Sequence, residues 1–140
     1  MQDGSRPVRR GVVAIASRGG RFLVIRRGPT LFAGGTICFP GGHIEPGESE
    51  PAAVTRECRE EVAAVVEPRS CVHRSVTDWG TELAWWTADL VGTGPLVPHP
   101  VEVAEILWLT VEEMLTDPTL LEGNRGFLEA IRDGRLVLDA

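Results

Sequence analysis

The chain has 140 residues and a mass of 15.2 kDa, which allows one domain with one hydrophobic core and leaves too little for two. Hydrophobic residues make up 43% of it and charged residues 24%, proportions that disfavour a disordered, collagen-like or membrane-spanning chain. The longest apolar run, 12–16, is far shorter than the ~20 residues that a bilayer requires. We therefore predict a single domain over 1–140, with a loose N-terminal arm at 1–7 and no membrane partner. No secretory signal is readable, so a cytoplasmic location is expected.

The charge balance narrows the class of partner. The net charge is −6 and the isoelectric point is near 5.1, so the summed field of the protein repels a nucleic-acid polymer. A small anionic substrate remains compatible with this charge if a metal ion supplies local positive charge. The three cysteines, Cys38, Cys58 and Cys71, have neither disulfide nor zinc spacing, and we expect them to pack as small apolar side chains.

Apolar runs and turn residues predict the first elements of the chain. Residues 12–15 and 22–25 are β-type runs on either side of 17–20, which ends in Gly-Gly, so a β-hairpin is predicted. The glycine-rich segment 28–47 is predicted to be a loop with a short strand near 36–39. A loop of this length inside a compact domain is usually functional.

A helix is predicted to follow the glycine-rich segment. Ser49 offers an N-cap and Pro51 stands where the first turn needs no N–H, so the helix is expected over about 50–64. Later strands are expected over 70–77, 82–90 and 103–109, with a turn at 78–81 and a loop at 92–100. Two helices, 111–115 and 121–131, are expected on either side of Asp117-Pro118. This order of elements indicates an α/β or α+β sandwich with a mixed sheet.

The helix predicted over 50–64 carries an acidic stripe beside an apolar one. At ~100° per residue, four apolar side chains share one face: Val54, Cys58, Val62 and Val65. Three acids fall beside them: Glu57, Glu60 and Glu61. Carboxylates at this spacing repel one another, and an excess of oxygen ligands on one arc suits Mg²⁺ or Mn²⁺. The helix alone leaves a solvated charged face as the alternative.

The spacing of these residues resembles the Nudix box, here Gly42 to Ala64. Six fixed positions of that pattern are filled in register by Gly42, Glu48, Arg56, Glu57, Glu60 and Glu61, and Cys58 takes an aliphatic position. Ala63 stands where the family has glycine, so we expect the helix to run on or to end differently. The resemblance implies an α/β/α sandwich with a mixed central sheet.

The resemblance also implies a metal-dependent chemistry. Most members of the family are Mg²⁺-dependent hydrolases of a nucleoside diphosphate linked to another moiety. By position, the implied metal ligands are Glu57, Glu60 and Glu61, with the Gly41 carbonyl and Glu105 as further ligands. Glu48 and Arg56 would tie the box loop to the helix by an ion pair. The general base stays open among Glu57, Glu60, and Glu105 or its neighbour Glu102. We favour a residue of the box, so the expected catalytic set is Glu48, Arg56, Glu57 and Glu60.

Four residues outside the box are candidates for substrate contacts: Arg26, Arg27, Phe32 and Trp79. Arg26 and Arg27 are adjacent on one strand, so their side chains point to opposite faces and only one is expected to meet a phosphate. Phe32 lies in the glycine-rich loop and Trp79 in a turn, where an aromatic ring is a candidate for stacking on a base.

Two functions from different classes follow. The first is a metal-dependent hydrolase that cleaves a pyrophosphate linkage, and the second is a catalytically inactive nucleotide-binding or sensor module of the same fold. The acids Glu57, Glu60 and Glu61 are all present, which favours the hydrolase, because a degenerate member would usually lack one. The expected partner is a small nucleotide-derived substrate. The sequence leaves the oligomeric state open between a monomer and a homodimer, and the resemblance adds that members of the family often dimerise.

Overall fold

The computed structural model describes residues 8–138 of the chain. Within this range, strands and helices follow in this order: β1 (Arg10–Ile15), β2 (Ser17–Arg18), β3 (Arg21–Arg27), β4 (Ile37–Cys38), β5 (Gly41–His43), α1 (Glu50–Val62), β6 (Val66–Val76), β7 (Glu82–Leu90), β8 (Val103–Leu109), α2 (Val111–Thr116) and α3 (Arg125–Arg132). A 3-10 turn, Glu122–Asn124, leads into α3. The arm expected at 1–7 lies outside the described residues.

The strands form two four-stranded sheets. In the first sheet the order is β5-β1-β7-β6, and β1 pairs in parallel with β7 but antiparallel with β5. In the second sheet β3 pairs antiparallel with β2, β4 and β8. The predicted mixed sheet is confirmed for the first of these, whereas the second is antiparallel throughout its described pairs.

Alternation along β1 divides the core into two layers. Val12 and Ala14 pack on the side that α1 covers, and Val13 and Ile15 pack on the side that α2 and α3 cover. The same alternation continues in β3. Helices therefore cover both faces of the strands, and the predicted α/β/α sandwich is confirmed.

Helix α1 begins as predicted and ends in an unexpected way. The Ser49 hydroxyl accepts a hydrogen bond from the Ala52 amide across 3.2 Å, which caps the first turn. The last helical residue is Val62, and Ala63 takes the left-handed conformation with φ 56° and ψ 31°. The expectation that the helix runs on or ends differently is wrong, because alanine adopts the conformation that glycine usually supplies. Val65 therefore lies outside the helix and is 53% exposed, so its expected place on the apolar stripe is also wrong.

The predicted hairpin is only partly present. Gly19 and Gly20 both have positive φ, at 60° and 78°, and they join β2 to β3. The longer apolar run before the turn belongs to β1, which pairs with β7 and β5 instead of β3. The chain thus moves from one sheet to the other at Ala16, and the hairpin is limited to the two residues of β2.

The remaining elements lie close to their predicted positions. β7 and β8 have the predicted bounds, and β6 begins four residues before the expected strand at 70–77. The helix expected over 121–131 is replaced at its start by the 3-10 turn. Among residues 8–138, no helix combines the length and the apolar character that a bilayer crossing needs.

Candidate active site

Arg56 joins the box loop to α1. Its Nε and Nη2 atoms donate to the two carboxylate oxygens of Glu48 across 2.8 and 2.9 Å, and Nη2 also donates to the His43 carbonyl across 2.8 Å. The hydrogen bonds from Arg56 lower the pKa of Glu48 to about 2, so this carboxylate stays charged. The structure therefore contains the ion pair expected between Glu48 and Arg56, in bidentate form.

The third guanidinium nitrogen of Arg56, Nη1, donates hydrogen bonds to two acids of α1. Nη1 donates to Glu57 Oε1 across 2.9 Å and to Glu60 Oε2 across 3.2 Å. Only 12% of the Glu57 side chain is exposed, against 51% of the Glu60 side chain. Glu57 therefore faces the packed interior beside Arg56, and Glu60 lies at the boundary with solvent.

Glu57 packs against a backbone that has no side chain. A Cβ atom added at Gly42 would lie 2.5 Å from both Cδ and Oε1 of Glu57, so the carboxylate would have to move from its present position. Burial raises the pKa of Glu57 to about 7, and the charges of Glu60 and Glu102 add to the rise. Glycine at position 42 thus leaves the space that this carboxylate occupies.

Glu61 is the most deeply buried of the box acids, with 5% of the residue exposed. Its Oε1 accepts a hydrogen bond from the Gly41 amide across 2.8 Å. Burial raises the pKa of Glu61 to about 8, and the charges of Glu57 and Glu102 contribute to the rise. We expected Glu61 at the edge of the packed face of α1. In the structure its side chain is instead buried, between the helix and the start of β5.

The chemistry of these acids fits a hard divalent cation. Within residues 8–138, no three His, Cys, Asp or Glu side chains have already converged as a set of metal ligands. Instead, Glu57 and Glu60 each direct an oxygen at Arg56, and Glu61 directs one at the Gly41 amide. Carboxylate oxygens are the ligands that Mg²⁺ and Mn²⁺ prefer, and a cation would offset the cost of burying neighbouring carboxylates. A cation here requires Glu57 and Glu60 to turn from Arg56 toward a point that they share with Glu61.

The two acids outside the box are in different surroundings. Glu105 lies opposite Arg26 in the pairing of β3 with β8, and Arg26 Nε donates to its Oε1 across 3.1 Å. Glu102 lies in the turn before β8, and its charge raises the pKa of both Glu57 and Glu61. Glu102 therefore interacts electrostatically with the box acids, whereas Glu105 forms an ion pair with Arg26.

His99 holds the turn that carries Glu102, although it is not among the residues predicted for the site. Its Nδ1 accepts hydrogen bonds from the amides of Val101 and Glu102 across 3.2 and 3.0 Å. Its own amide donates to the Glu61 carbonyl across 2.8 Å. A histidine three residues before an acid, next to prolines, was the available signal for such a turn.

The adjacent arginines of β3 point to opposite faces, as their alternation predicts. Arg26 donates through Nη1 to Thr119 Oγ1 across 3.1 Å, on the side of the segment between α2 and α3. Arg27 donates through Nε to the Phe32 carbonyl across 2.9 Å, and its charge opposes the rise in the pKa of Glu61. Arg27 is therefore the arginine on the side of the box acids.

The two aromatic candidates contact each other. Phe32 is 74% exposed and Trp79 is 64% exposed. Their ring centroids are 5.7 Å apart with an interplanar angle of 76°, an edge-to-face arrangement. Phe32 and Trp79 therefore form one aromatic pair, a contact that the sequence does not predict.

Comparisons with known proteins assign the family. The model of the NUDIX domain family matches residues 5–131, which include the box and all the site residues described above. The chain belongs to the Nudix hydrolase family. This Nudix chain is 36% identical over 111 residues to the CTP pyrophosphohydrolase of Escherichia coli K12, covering 76% of this chain and 79% of that protein. The family and fold expected from the box are confirmed.

Other relatives of this Nudix chain are longer. It is 33% identical over 128 residues to the NAD-capped RNA hydrolase NudC of Deinococcus radiodurans, covering 84% of this chain and 43% of that protein. The NudC of Stutzerimonas stutzeri is 30% identical over 104 residues, with 74% of this chain and 37% of that protein covered. The chain therefore spans less than half the length of the NudC relatives that it matches.

Solved structures share the fold. The MutT protein from Methanosarcina mazei Go1 superposes with a TM-score of 0.78 at 24% identity, covering 93% of this chain and 96% of that one. The E. coli ORF135 protein superposes with a TM-score of 0.73 at 29% identity, covering 91% and 90%. The arrangement of sheets and helices described above is thus that of the Nudix fold.

Proposed function

We propose that the protein is a divalent-metal-dependent hydrolase that cleaves the pyrophosphate linkage of a small nucleotide-derived substrate. The observation that carries this proposal is the pair of enclosed carboxylates, Glu57 and Glu61, held on α1 against Gly42 and Gly41. Neighbouring carboxylates withdrawn from water are costly unless a cation joins them, and their raised pKa values express that cost. A purely structural helix face would leave such acids in solvent.

The proposed cation is Mg²⁺, with Mn²⁺ as the second choice because both prefer carboxylate oxygen. Its proposed ligands are Glu57, Glu60 and Glu61, with the Gly41 carbonyl beside them. We propose Glu102 in place of Glu105 as the further ligand, because the charge of Glu102 acts on the box acids and Glu105 pairs with Arg26. When bound, the cation supplies charge neutralisation of the diphosphate and stabilises the charge that develops on the leaving oxygen.

The side chains around that cation have separate proposed tasks. Arg56 and Glu48 position the box loop on α1 through their bidentate ion pair. Glu60 is the box acid with open access to solvent, and we assign to it the proton of the attacking water. Arg27 faces the box acids, so we assign its guanidinium to a substrate phosphate.

The names of the relatives define the substrates to test first. The E. coli relative is named for CTP, and the two NudC relatives are named for NAD-capped RNA. The net charge of −6 favours a small nucleotide over a polymer, because a long polyanion would be repelled by the rest of the surface. We therefore propose nucleoside triphosphates as the first substrate class.

The test is a product analysis of purified protein with Mg²⁺. The panel contains nucleoside triphosphates including CTP, dinucleotides, nucleotide sugars and a short NAD-capped RNA. Release of a nucleoside monophosphate, with strong loss in Glu60→Gln and no loss in the exposed control Glu112→Gln, would support the proposal. Binding of nucleotides without any release of product would favour the sensor module instead. Sedimentation of the same preparation tests whether the protein forms a homodimer.

A further inference from the structure

Two exposed aromatic side chains from distant segments meet on the surface. Phe32 comes from the loop between β3 and β4, and Trp79 from the turn between β6 and β7. Most of both rings is open to solvent, yet the rings contact each other at 5.7 Å between centroids. At an interplanar angle of 76° they form two walls of a corner that leaves ring surface uncovered.

Backbone hydrogen bonds hold both segments that present the rings. In the loop 28–35, the Leu31 amide donates to the Gly28 carbonyl and the Gly34 amide to the Leu31 carbonyl, and Ala33 has a positive φ of 54°. In the other segment, the Thr77 amide donates to the Thr81 carbonyl across 2.9 Å. Aromatic rings with two side-chain torsions on such backbones lose little conformational entropy when a ligand binds.

Two contacts connect the loop that carries Phe32 to the acids of the box. Arg27 donates to the Phe32 carbonyl across 2.9 Å, and the charge of Arg27 acts on Glu61. The Gly28 amide donates to the carbonyl of Glu102 across 2.9 Å, and the Glu102 charge acts on Glu57 and Glu61. The loop that carries Phe32 is thus hydrogen-bonded to Arg27 and to Glu102, which lie beside the proposed metal and phosphate site, and Trp79 joins it through Phe32.

We propose that Phe32 and Trp79 form the subsite for the nucleobase of the substrate, an inference that rests on the proposed function. A planar base stacks on one ring of the corner and meets the second ring at a near-right angle, while Arg27 takes a phosphate of the same molecule. Two side chains offer too little area for a stable subunit interface, but they match the size of one base. Stacking of this kind tolerates different bases. We therefore expect the corner to favour substrates that carry a base over those that lack one, and to discriminate little between bases.

A comparison of substrates with and without a base tests the subsite. We expect Phe32→Ala and Trp79→Ala each to lower the ratio of kcat/KM for CTP to that for ribose 5-triphosphate about tenfold, through KM and not through kcat. Trp79→Phe should restore most of the ratio, and the exposed control Val91→Ala should leave it unchanged. An unchanged ratio in both alanine variants would overturn the proposal. An equal loss on both substrates, with a dimer becoming a monomer, would also overturn it and make the corner a subunit contact.

A binding measurement separates this inference from the proposed function. Tryptophan emission is followed while cytidine 5′-monophosphate or ribose 5-phosphate is added in the presence of EDTA, so that no turnover is needed. Quenching by the nucleotide alone, absent in Trp79→Phe, would support the subsite even if the protein hydrolysed nothing in the panel. If hydrolysis occurred and no quenching depended on Trp79, the subsite would be overturned while the proposed function stood.

Discussion

The Cα of Gly42 lies directly against the carboxylate of Glu57, so that a Cβ atom at position 42 would stand 2.5 Å from Oε1 of Glu57. This contact explains in steric terms why the first fixed residue of the box is glycine. It also means that the position of an acid on α1 depends on a residue fifteen positions earlier in the chain. The place that the Glu57 carboxylate occupies is therefore available only because residue 42 has no side chain.

Replacement of Gly42 by alanine should displace Glu57 and damage the proposed metal site. We expect the affinity for Mn²⁺ and the kcat to fall by about tenfold or more, because a misplaced ligand removes part of the stabilisation of the transition state. Calorimetric titration of Mn²⁺ and a hydrolysis assay measure the two effects. Gly94→Ala is the matched control, since a Cβ atom there meets nothing within 4 Å. Unchanged metal affinity in Gly42→Ala would contradict the link between the space at Gly42 and the metal site.

Replacement of Ala63 by glycine should stabilise the protein. Alanine in the left-handed conformation costs roughly 1–2 kcal/mol that glycine does not. The larger entropy of glycine in the unfolded chain offsets part of the gain, so we expect an increase of about 1 kcal/mol in the free energy of unfolding. Urea denaturation measures the difference. Ala52→Gly, in the first turn of the same helix, should instead lower the stability. A less stable Ala63→Gly protein would contradict the left-handed end of α1.

Glu57 and Glu61 should make the metal-free protein less stable at pH 8 than at pH 6.5. Their pKa values in the folded protein are about 7 and 8, above the ~4.3 of an unfolded glutamate, so the folded protein keeps protons that the unfolded chain has lost. The stabilisation that these protons provide is present at low pH and is lost as the pH rises through 7 and 8. Burial lowers the pKa of His73 below 6.5, so its opposite effect lies at lower pH.

Urea denaturation in EDTA across pH 6.5 to 8 checks this dependence, with Glu61→Gln as the variant in which the slope should decrease. Because a metal ligand must be deprotonated, the stabilisation by added Mg²⁺ should be larger at pH 8 than at pH 6.5. A metal-free protein that gained stability toward pH 8 would show that the two carboxylates are ionised in the folded state.

Glu60→Gln and Glu61→Gln should each lower kcat by roughly 10² or more while the fold stays intact. Both substitutions keep the shape of the side chain and remove its negative charge. We assign that charge to metal binding in both residues, and in Glu60 also to accepting the proton of the attacking water. Steady-state kinetics with the substrate found in the panel, together with circular dichroism, measures the two parts of the prediction. Turnover near that of the wild type in both variants would contradict the assignment of the acids.

Much of the fold and part of the site could be read from local sequence. The cap at Ser49 and the opposite directions of Arg26 and Arg27 follow from spacing within one element or between neighbours, whereas the ion pair of Glu48 with Arg56 was implied by the resemblance to the Nudix box. Such short-range geometry is set by the backbone period, so a single sequence is enough to predict it. The helix end at Ala63 differed because tertiary structure imposed a left-handed residue without its usual glycine.

Long-range pairing is what the sequence could not supply. The turn at Gly19 and Gly20 predicts a hairpin, but β1 finds its partners in β7 and β5. The contact of Phe32 with Trp79 likewise depends on how separate segments meet in space. Glu102 and Glu105 are three residues apart and equally plausible by type, and only the pairing of β3 with β8 occupies Glu105 with Arg26. Nothing local distinguishes these outcomes.

The most direct test is a Mn²⁺ titration in which bound metal and hydrolysis are measured in the same sample. We predict that EDTA abolishes release of product, that activity returns in proportion to the fraction of protein with bound Mn²⁺, and that Glu57→Gln and Glu61→Gln each shift both curves to higher metal concentration. Hydrolysis that continued at full rate in EDTA, or metal binding unaffected by both substitutions, would contradict the account.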